Sequence, residues 1–223
     1  MGEHPIDFET DMVMAILDGR KTQARRVVKP QPPATAEELT LCWPGKGMPR
    51  EWQGAFGLLY AVSRDTPFGR VADHNFVRCR FGEPGGTLYV RETWQHCPEC
   101  GRVNFLAGAN EAGRICQHCD GFLGQWRPSF DHLPRDYARI FLTLTDVKVE
   151  RVQDISLYDA VREGCPLFEI VENDQIVRCM RKVASAVQDA RDWFIPLWDR
   201  INGPNGFGWE QNPWVWALSF RVL

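Results

Sequence analysis

The sequence predicts an α+β fold: a small mixed β-barrel with peripheral helices and a cysteine-rich insertion. Three observations predict it. Strand patterns are separated by short helical ones without regular β-α alternation, which argues against a parallel doubly wound sheet. Of the 223 residues, 44% are hydrophobic and 25% charged, enough for one substantial core. Two Cys-x-x-Cys pairs fall in a single loop, the pattern of a small metal-stabilised knuckle. Residues 1–223 read as one domain with insertions at 30–80 and 95–125.

The elements follow in order. Residues Glu9–Leu17 read as a helix, because Met12, Val13, Ile16 and Leu17 share a face, with Thr10 as N-cap and Gly19 as stop. Lys21–Val28 reads as a strand. The proline-rich stretch Lys29–Arg80 reads as irregular apart from a strand at Phe56–Val62. After the turn Pro84-Gly85-Gly86, Thr87–Trp94 is a strand, then 95–125 a cysteine-rich loop, then Tyr137–Val152 a strand. Ser156 caps a short helix to Glu163, ended by Gly164. Arg178–Ile201 is the longest helical pattern, broken or kinked at Pro196, and Pro213–Val222 is the last strand. The acidic run Glu169–Asp174 reads as a solvated loop.

A net charge of -3 excludes a non-specific nucleic-acid coat and leaves room for a local basic cleft. No signal-peptide or membrane-helix pattern is present, and Met1-Gly2 lacks the Ser or Thr at residue 6 that myristoylation needs, so the expected location is cytoplasmic. The basic stretch is Gly19-Arg20-Lys21-Thr22-Gln23-Ala24-Arg25-Arg26, with four cations in eight residues. Crowded cations repel, so a fold that gathers them commonly has an anion to place there; a solvated edge strand paired with acids is the plainer alternative.

Cys97-Pro98-Glu99-Cys100, fifteen residues, and Cys116-Gln117-His118-Cys119 have the spacing of a four-cysteine zinc site. An iron-sulfur centre or free thiols are the alternatives. Four thiolates leave no open position on zinc, so the expected role is structural Zn2+, with docking to a nucleic acid or partner as the functional alternative. His96 and His118 are reserve ligands. Trp94 and Trp126 bracket the loop, as if it grew from two neighbouring strands. Trp193, Trp198, Trp214 and Trp216 fall at core spacings, Trp43 and Trp52 are candidates for base stacking or local packing, and Cys42, Cys79, Cys165 and Cys179 read as incidental thiols.

Several blocks, in order, resemble the ASCH domain family of the PUA-like superfamily, closest to members found in tailed phages and prophages. They are Met12 to Lys29, Leu88-Tyr89-Val90-Arg91-Glu92-Thr93-Trp94, Trp126-Arg127-Pro128-Ser129, Pro134-Arg135, Arg151-Val152-Gln153-Asp154-Ile155-Ser156, Ala160 with Glu163-Gly164, and Asn212-Pro213-Trp214-Val215-Trp216. The resemblance implies a PUA-like barrel that binds RNA, more than DNA, or a modified nucleoside, with Arg20, Lys21, Thr22, Arg25 and Arg26 at the ligand. One bacterial branch hydrolyses the amide of N4-acetylcytidine with a Lys, a Thr and a Glu. Lys21 and Glu163 match the first and last as catalytic residues, while Ala24 stands at the threonine. Thr22 is about 7 Å along the strand from residue 24. Pro84-Gly85-Gly86 likewise replaces a Pro-Gly-Asp turn. Without the hydroxyl, nucleic-acid or nucleotide binding is the expected function. The alternatives are a hydrolase (amidase or ribonuclease) working through Lys21 and Glu163, and a phage assembly or host-interaction protein.

Overall fold

In the computed structural model the described residues are 2–43, 55–67, 69–108, 115–128, 133–166, 168–171, 176–179 and 190–223. The chain runs β1 (Glu3–Asp7), α1 (Thr10–Leu17), β2 (Gln23–Val27), β3 (Ala36–Cys42), β4 (Gly57–Thr66), β5 (Gly69–Arg78), β6 (Thr87–Arg91), β7 (Trp94–His96) and β8 (Val103–Phe105). It continues through β9 (Phe141–Arg151), α2 (Leu157–Arg162), β10 (Phe168–Val171), β11 (Ile176–Cys179), α3 (Ala190–Asn202) and β12 (Trp214–Val222). This is an α+β architecture built mostly from strands.

The central sheet has the order β1-β6-β9-β12-β2, with β1 parallel to β6 and the other pairs antiparallel. Its alternation separates two cores. Trp216 and Leu218 of β12 face a large core with Leu88, Val90, Leu142, Leu144, Ala24 and α1's Val13 and Ile16, whereas Val215 faces a second core with Ala160, Val161, Phe194 and Trp198 from α2 and α3. Of the four tryptophans expected in the core, Trp198 and Trp216 are buried there, while Trp193 and Trp214 are only partly buried and pack at the margins.

Several expectations are corrected. Among the described residues the sheet does not close into a barrel, since β1 and β2 remain its two edges. Across that gap the Arg26 guanidinium donates to the Asp7 carbonyl at 2.6 Å, where a closing ladder would run. The strand expected at Phe56–Val62 is present as β4, but the rest of the stretch expected to be irregular supplies two more strands that pair with it in the antiparallel sheet β3-β4-β5, whose Leu58, Tyr60 and Val77 join the large core. Its prolines lie outside these strands, at 30, 32, 33, 44, 49 and 67, so they punctuate rather than prevent pairing.

Smaller differences concern ends. The N-cap of α1 is Glu9, not Thr10, and Gly19 (φ +73) follows the C-cap Asp18. Residues Arg135–Tyr137 form a 3-10 turn, and the strand begins only at Phe141. Phe168–Val171, at the start of the acidic run, pairs with Ile176–Cys179, so residues 178 and 179 are strand rather than helix. The rest of that run, 172–175, lies outside the described residues, as does 180–189 of the long helical pattern. Pro196 lies inside α3 without ending it.

Candidate functional site

Two turns bring the chemistry together. After α1 the chain reverses at Gly19, and the Lys21 amide donates to the Ala15 carbonyl at 2.9 Å. The Thr22 amide then donates to the Arg162 carbonyl, and Lys21 and Glu163 form an isolated antiparallel bridge. On the other side Ser156 Oγ caps α2 by accepting from the Asp159 amide, and Glu163 is the C-cap of that helix. Gly164 (φ +104) completes the approach: a Cβ there would stand 3.1 Å from Ala15 Cβ and 3.2 Å from Lys21 Cβ. Only glycine suits both that dihedral and that spacing.

The result is a buried ionic network. Lys21 Nζ donates to Glu163 Oε2 and to the Glu163 carbonyl, both at 2.7 Å. Arg25 NH1 donates to Glu163 Oε1 at 3.1 Å and to Gln23 Oε1 at 2.8 Å, while its other nitrogens reach Glu150 at 2.8 and 2.6 Å. Lys21, Arg25 and Glu163 are each under 5% exposed. Burial pulls the Lys21 amine below its ordinary value; Glu163 opposes that, and Arg26 and Arg25 add to it. Arg26 is different, for it has no carboxylate within 4.0 Å among the described residues and instead lies 4.9 Å over the Phe8 ring.

These groups line one side of a cavity of about 250 Å³. Lys21, Arg25, Arg26, Glu163 and Asp7 supply its polar wall, and Phe8, Met12, Phe194, Leu197 and Trp198 its apolar one. Trp198 is held by its indole N–H, which donates to the Phe207 carbonyl at 2.8 Å. Of the sequence-derived ligand set, Lys21, Arg25 and Arg26 are brought together with Glu163. Arg20 and Thr22 do not line this cavity: Arg20 pairs with Asp18 at 2.9 Å and donates to the Gly164 carbonyl. Ala24 is fully buried in the large core and does not line it either.

The α3 wall, Phe194 and Trp198, escaped the sequence reading as site residues because aromatic side chains four apart on a helix signal core, and here they serve both purposes. The counter-ions Glu150 and Asp159 carried no local signal, being 125 and 134 positions from Arg25. Trp43 is half-exposed against Phe56 at 5.0 Å, away from the cavity, and Trp52 lies outside the described residues.

The second site is the cysteine loop. Its neck is closed by reciprocal bonds between Trp94 and Arg127, at 2.9 and 2.8 Å, so the loop does grow from two neighbouring segments. The tight turns at Gly101 (φ +71) and Asp120 (φ +59) fold the two Cys-x-x-Cys pairs toward each other. All four sulfurs of Cys97, Cys100, Cys116 and Cys119 lie within 4.8 Å of one another, with Cys97–Cys119 at 3.6 Å and Cys100–Cys116 at 3.7 Å, a cluster able to hold a metal ion. The thiols share their protons. At Cys116 burial pushes the thiol up, but hydrogen bonds, the His118 amide first, bring it down to about 6. At Cys119 the Gly121 amide lowers the thiol, but burial and contacts with the other three sulfurs outweigh it and hold the value up to about 12. His96 and His118 are not in the cluster; His96 packs edge-on between Trp94 and Tyr137, each at 5.3 Å. Cys79 and Cys165 are buried and Cys42 half-buried, and all three lie outside the cluster.

No helix among the described residues is long and apolar enough to cross a membrane. Compared with protein-family models, curated proteins and solved structures, the chain matches none.

Proposed function

We propose that this protein is a binding protein of the ASCH class, with a PUA-like fold, that seats an RNA base or modified nucleotide in the cavity beside Lys21. The observation that carries this reading is the pairing of a buried Lys21–Glu163–Arg25 network with an apolar wall of Phe8, Phe194 and Trp198. A nucleobase needs that combination, polar groups for its edge and rings for its face. Glu163 keeps free lone pairs after accepting from Lys21 and Arg25, so it can accept from an exocyclic amine. Lys21 retains a third N–H, and Arg26, which donates to the Arg25 and Asp7 carbonyls and has no carboxylate within 4.0 Å among the described residues, keeps further N–H groups for a ligand carbonyl.

The cysteine cluster holds structural Zn2+ in this reading. Tetrahedral zinc with bonds of about 2.3 Å places its sulfurs roughly 3.8 Å apart, close to the two separations above. Four thiolates complete the coordination, so zinc fixes the loop and takes no part at the Lys21 cavity.

Hydrolysis is the second reading, favoured by the downward pull on the Lys21 amine. A neutral Lys21 can take a proton from water while Glu163 orients it. Ala24 supplies no hydroxyl, and no Ser, Thr or Cys lines the cavity among the described residues. The test is calorimetric binding of N4-acetylcytidine, cytidine and short RNA, together with a hydrolysis assay on the zinc-loaded protein. Binding without turnover, lost in Lys21→Ala, is expected. Turnover that vanishes in both Lys21→Ala and Glu163→Ala assigns catalysis instead, and absence of any binding overturns both readings.

A further inference from the structure

Beside the cavity lies a groove of about 170 Å³ whose character is different. Four cations line it, Arg26 and Lys29 from the β2 segment and Arg78 and Arg80 from the end of β5, and no aspartate or glutamate does. Lys29, Arg78 and Arg80 are exposed, and none has a carboxylate within 4.0 Å among the described residues. In a chain of net charge -3, where Arg64, Arg70 and Arg200 all find acids, that is a selective gathering of unneutralised charge. Lys29 stands over the Phe207 ring at 5.1 Å and Arg80 over Phe81 at 4.8 Å, so aromatic faces hold the stems while the charged ends stay available. Burial lowers Arg26, Glu163 and Asp7 of the adjoining cavity oppose that, and the charge of Arg80 adds to the lowering. Like charges gathered without counter-ions lose energy that an anion restores.

The groove shares Arg26 and Asn202 with the cavity, so the two are compartments of one cleft. One is amphipathic and acid-containing, the other purely cationic. A nucleotide has the same division between base and phosphate, and phosphate contacts position while base contacts select.

We propose that the groove formed by Lys29, Arg78 and Arg80 is a phosphate site, so that the cleft takes a phosphorylated nucleotide or a single RNA strand rather than a free nucleoside. This rests on reading the adjoining cavity as a base site. The β3-β4-β5 sheet thereby acquires a purpose, since β5 and the residues just after it carry half of the groove's cations.

The experiment is calorimetry on the full chain, zinc-loaded, with the four common ribonucleosides, N4-acetylcytidine, the corresponding 5′- and 3′-monophosphates, a single-stranded hexanucleotide and inorganic phosphate. The variant is Lys29→Ala/Arg78→Ala/Arg80→Ala, whose side chains are exposed, and the control is Arg64→Ala/Arg70→Ala, which removes charge from the same sheet. Monophosphates are expected to bind roughly tenfold or more tighter than their nucleosides, an advantage that the variant abolishes and the control keeps. For the hexanucleotide, the slope of log K against log salt should fall by about 2 in the variant, at about 0.7 per lost phosphate contact. A mononucleotide ligand leaves the hexanucleotide no tighter than the monophosphate, whereas an RNA ligand makes it tighter. Equal binding of nucleosides and monophosphates, unchanged in the variant, overturns the phosphate site and leaves the base cavity standing. Inorganic phosphate bound by the parent and not by the variant, with no nucleoside or nucleotide binding, overturns the base cavity instead.

Discussion

Replacing Glu163 with glutamine keeps the shape of the side chain and removes its charge, so it isolates the ionic network. Arg25 tolerates the change, because Glu150 remains at 2.6 Å and Asp159 at 3.5 Å. Lys21 does not, since Glu163 is its one carboxylate within 4.0 Å among the described residues and its side chain is 3% exposed. Leaving a buried cation unpaired costs about 3–5 kcal/mol. For a chain of this length that lowers the melting temperature by on the order of 10 °C. The deficit should depend on pH in a definite direction. Lys21 already lies below the ordinary 10.5 through burial, and removing the carboxylate that opposes this lowers it further. Between the folded and unfolded values the unfolded chain binds more protons, so stability rises with pH across that window. The window is wider in the variant and opens at lower pH, so its deficit shrinks as pH rises from neutrality toward 10. Urea denaturation at constant zinc, at three pH values, measures this. Lys21→Met combined with Glu163→Gln should recover most of the loss. A deficit below about 1 kcal/mol that ignores pH, or a double variant worse than both singles, would refute the reasoning.

Three further outcomes follow from particular contacts. Gly164→Ala forces a Cβ to 3.1 Å from Ala15 and 3.2 Å from Lys21 at φ +104, and should cost about 1–3 kcal/mol in denaturation while weakening ligand binding by shifting Glu163. Ala24→Thr, which restores the threonine that the amidase branch carries, should destabilise by about 1–3 kcal/mol and confer no hydrolysis of N4-acetylcytidine, because residue 24 is buried in the core away from the cavity; turnover in this variant sinks that argument. Chelation, or Cys97→Ser, should speed amide hydrogen exchange through 95–125 and leave β6, β9 and β12 protected, since Trp94 and Arg127 close the neck independently of any ion. Loss of protection across the central sheet would show that the metal supports the whole fold.

Local pattern carried the reading furthest where local forces decide. The α1 face (Met12, Val13 and Ile16, though not the exposed Leu17), the Ser156 cap, the strand expected at 87–94, of which 87–91 forms β6, and the paired Cys-x-x-Cys turns are all set by neighbours within a few residues, and each was legible. The strand at 56–62 was legible and is the core of β4, whereas its partners β3 and β5 were missed because Pro32, Pro33, Pro44, Pro49 and Pro67 flank strands whose pairing runs through β4. The barrel expectation failed for a related reason: whether β1 and β2 meet is a long-range matter that no local strand pattern encodes, and here the two stay as edges joined by the Arg26 side chain on the Asp7 carbonyl rather than by a ladder.

By itself the sequence determined the α+β class and the four-cysteine cluster, since composition, spacing and turn chemistry are written along the chain, whereas Lys21 with Glu163 entered as a candidate pair only through the resemblance to ASCH proteins. Only the tertiary structure decided what surrounds that pair. Glu150 and Asp159 neutralise Arg25, Trp198 and Phe194 wall the cavity, and Lys29, Arg78 and Arg80 converge without an acid between them. Burial and counter-charge set a lysine's proton affinity and a groove's ligand, and both depend on which distant segments pack together, information no stretch of neighbouring residues holds.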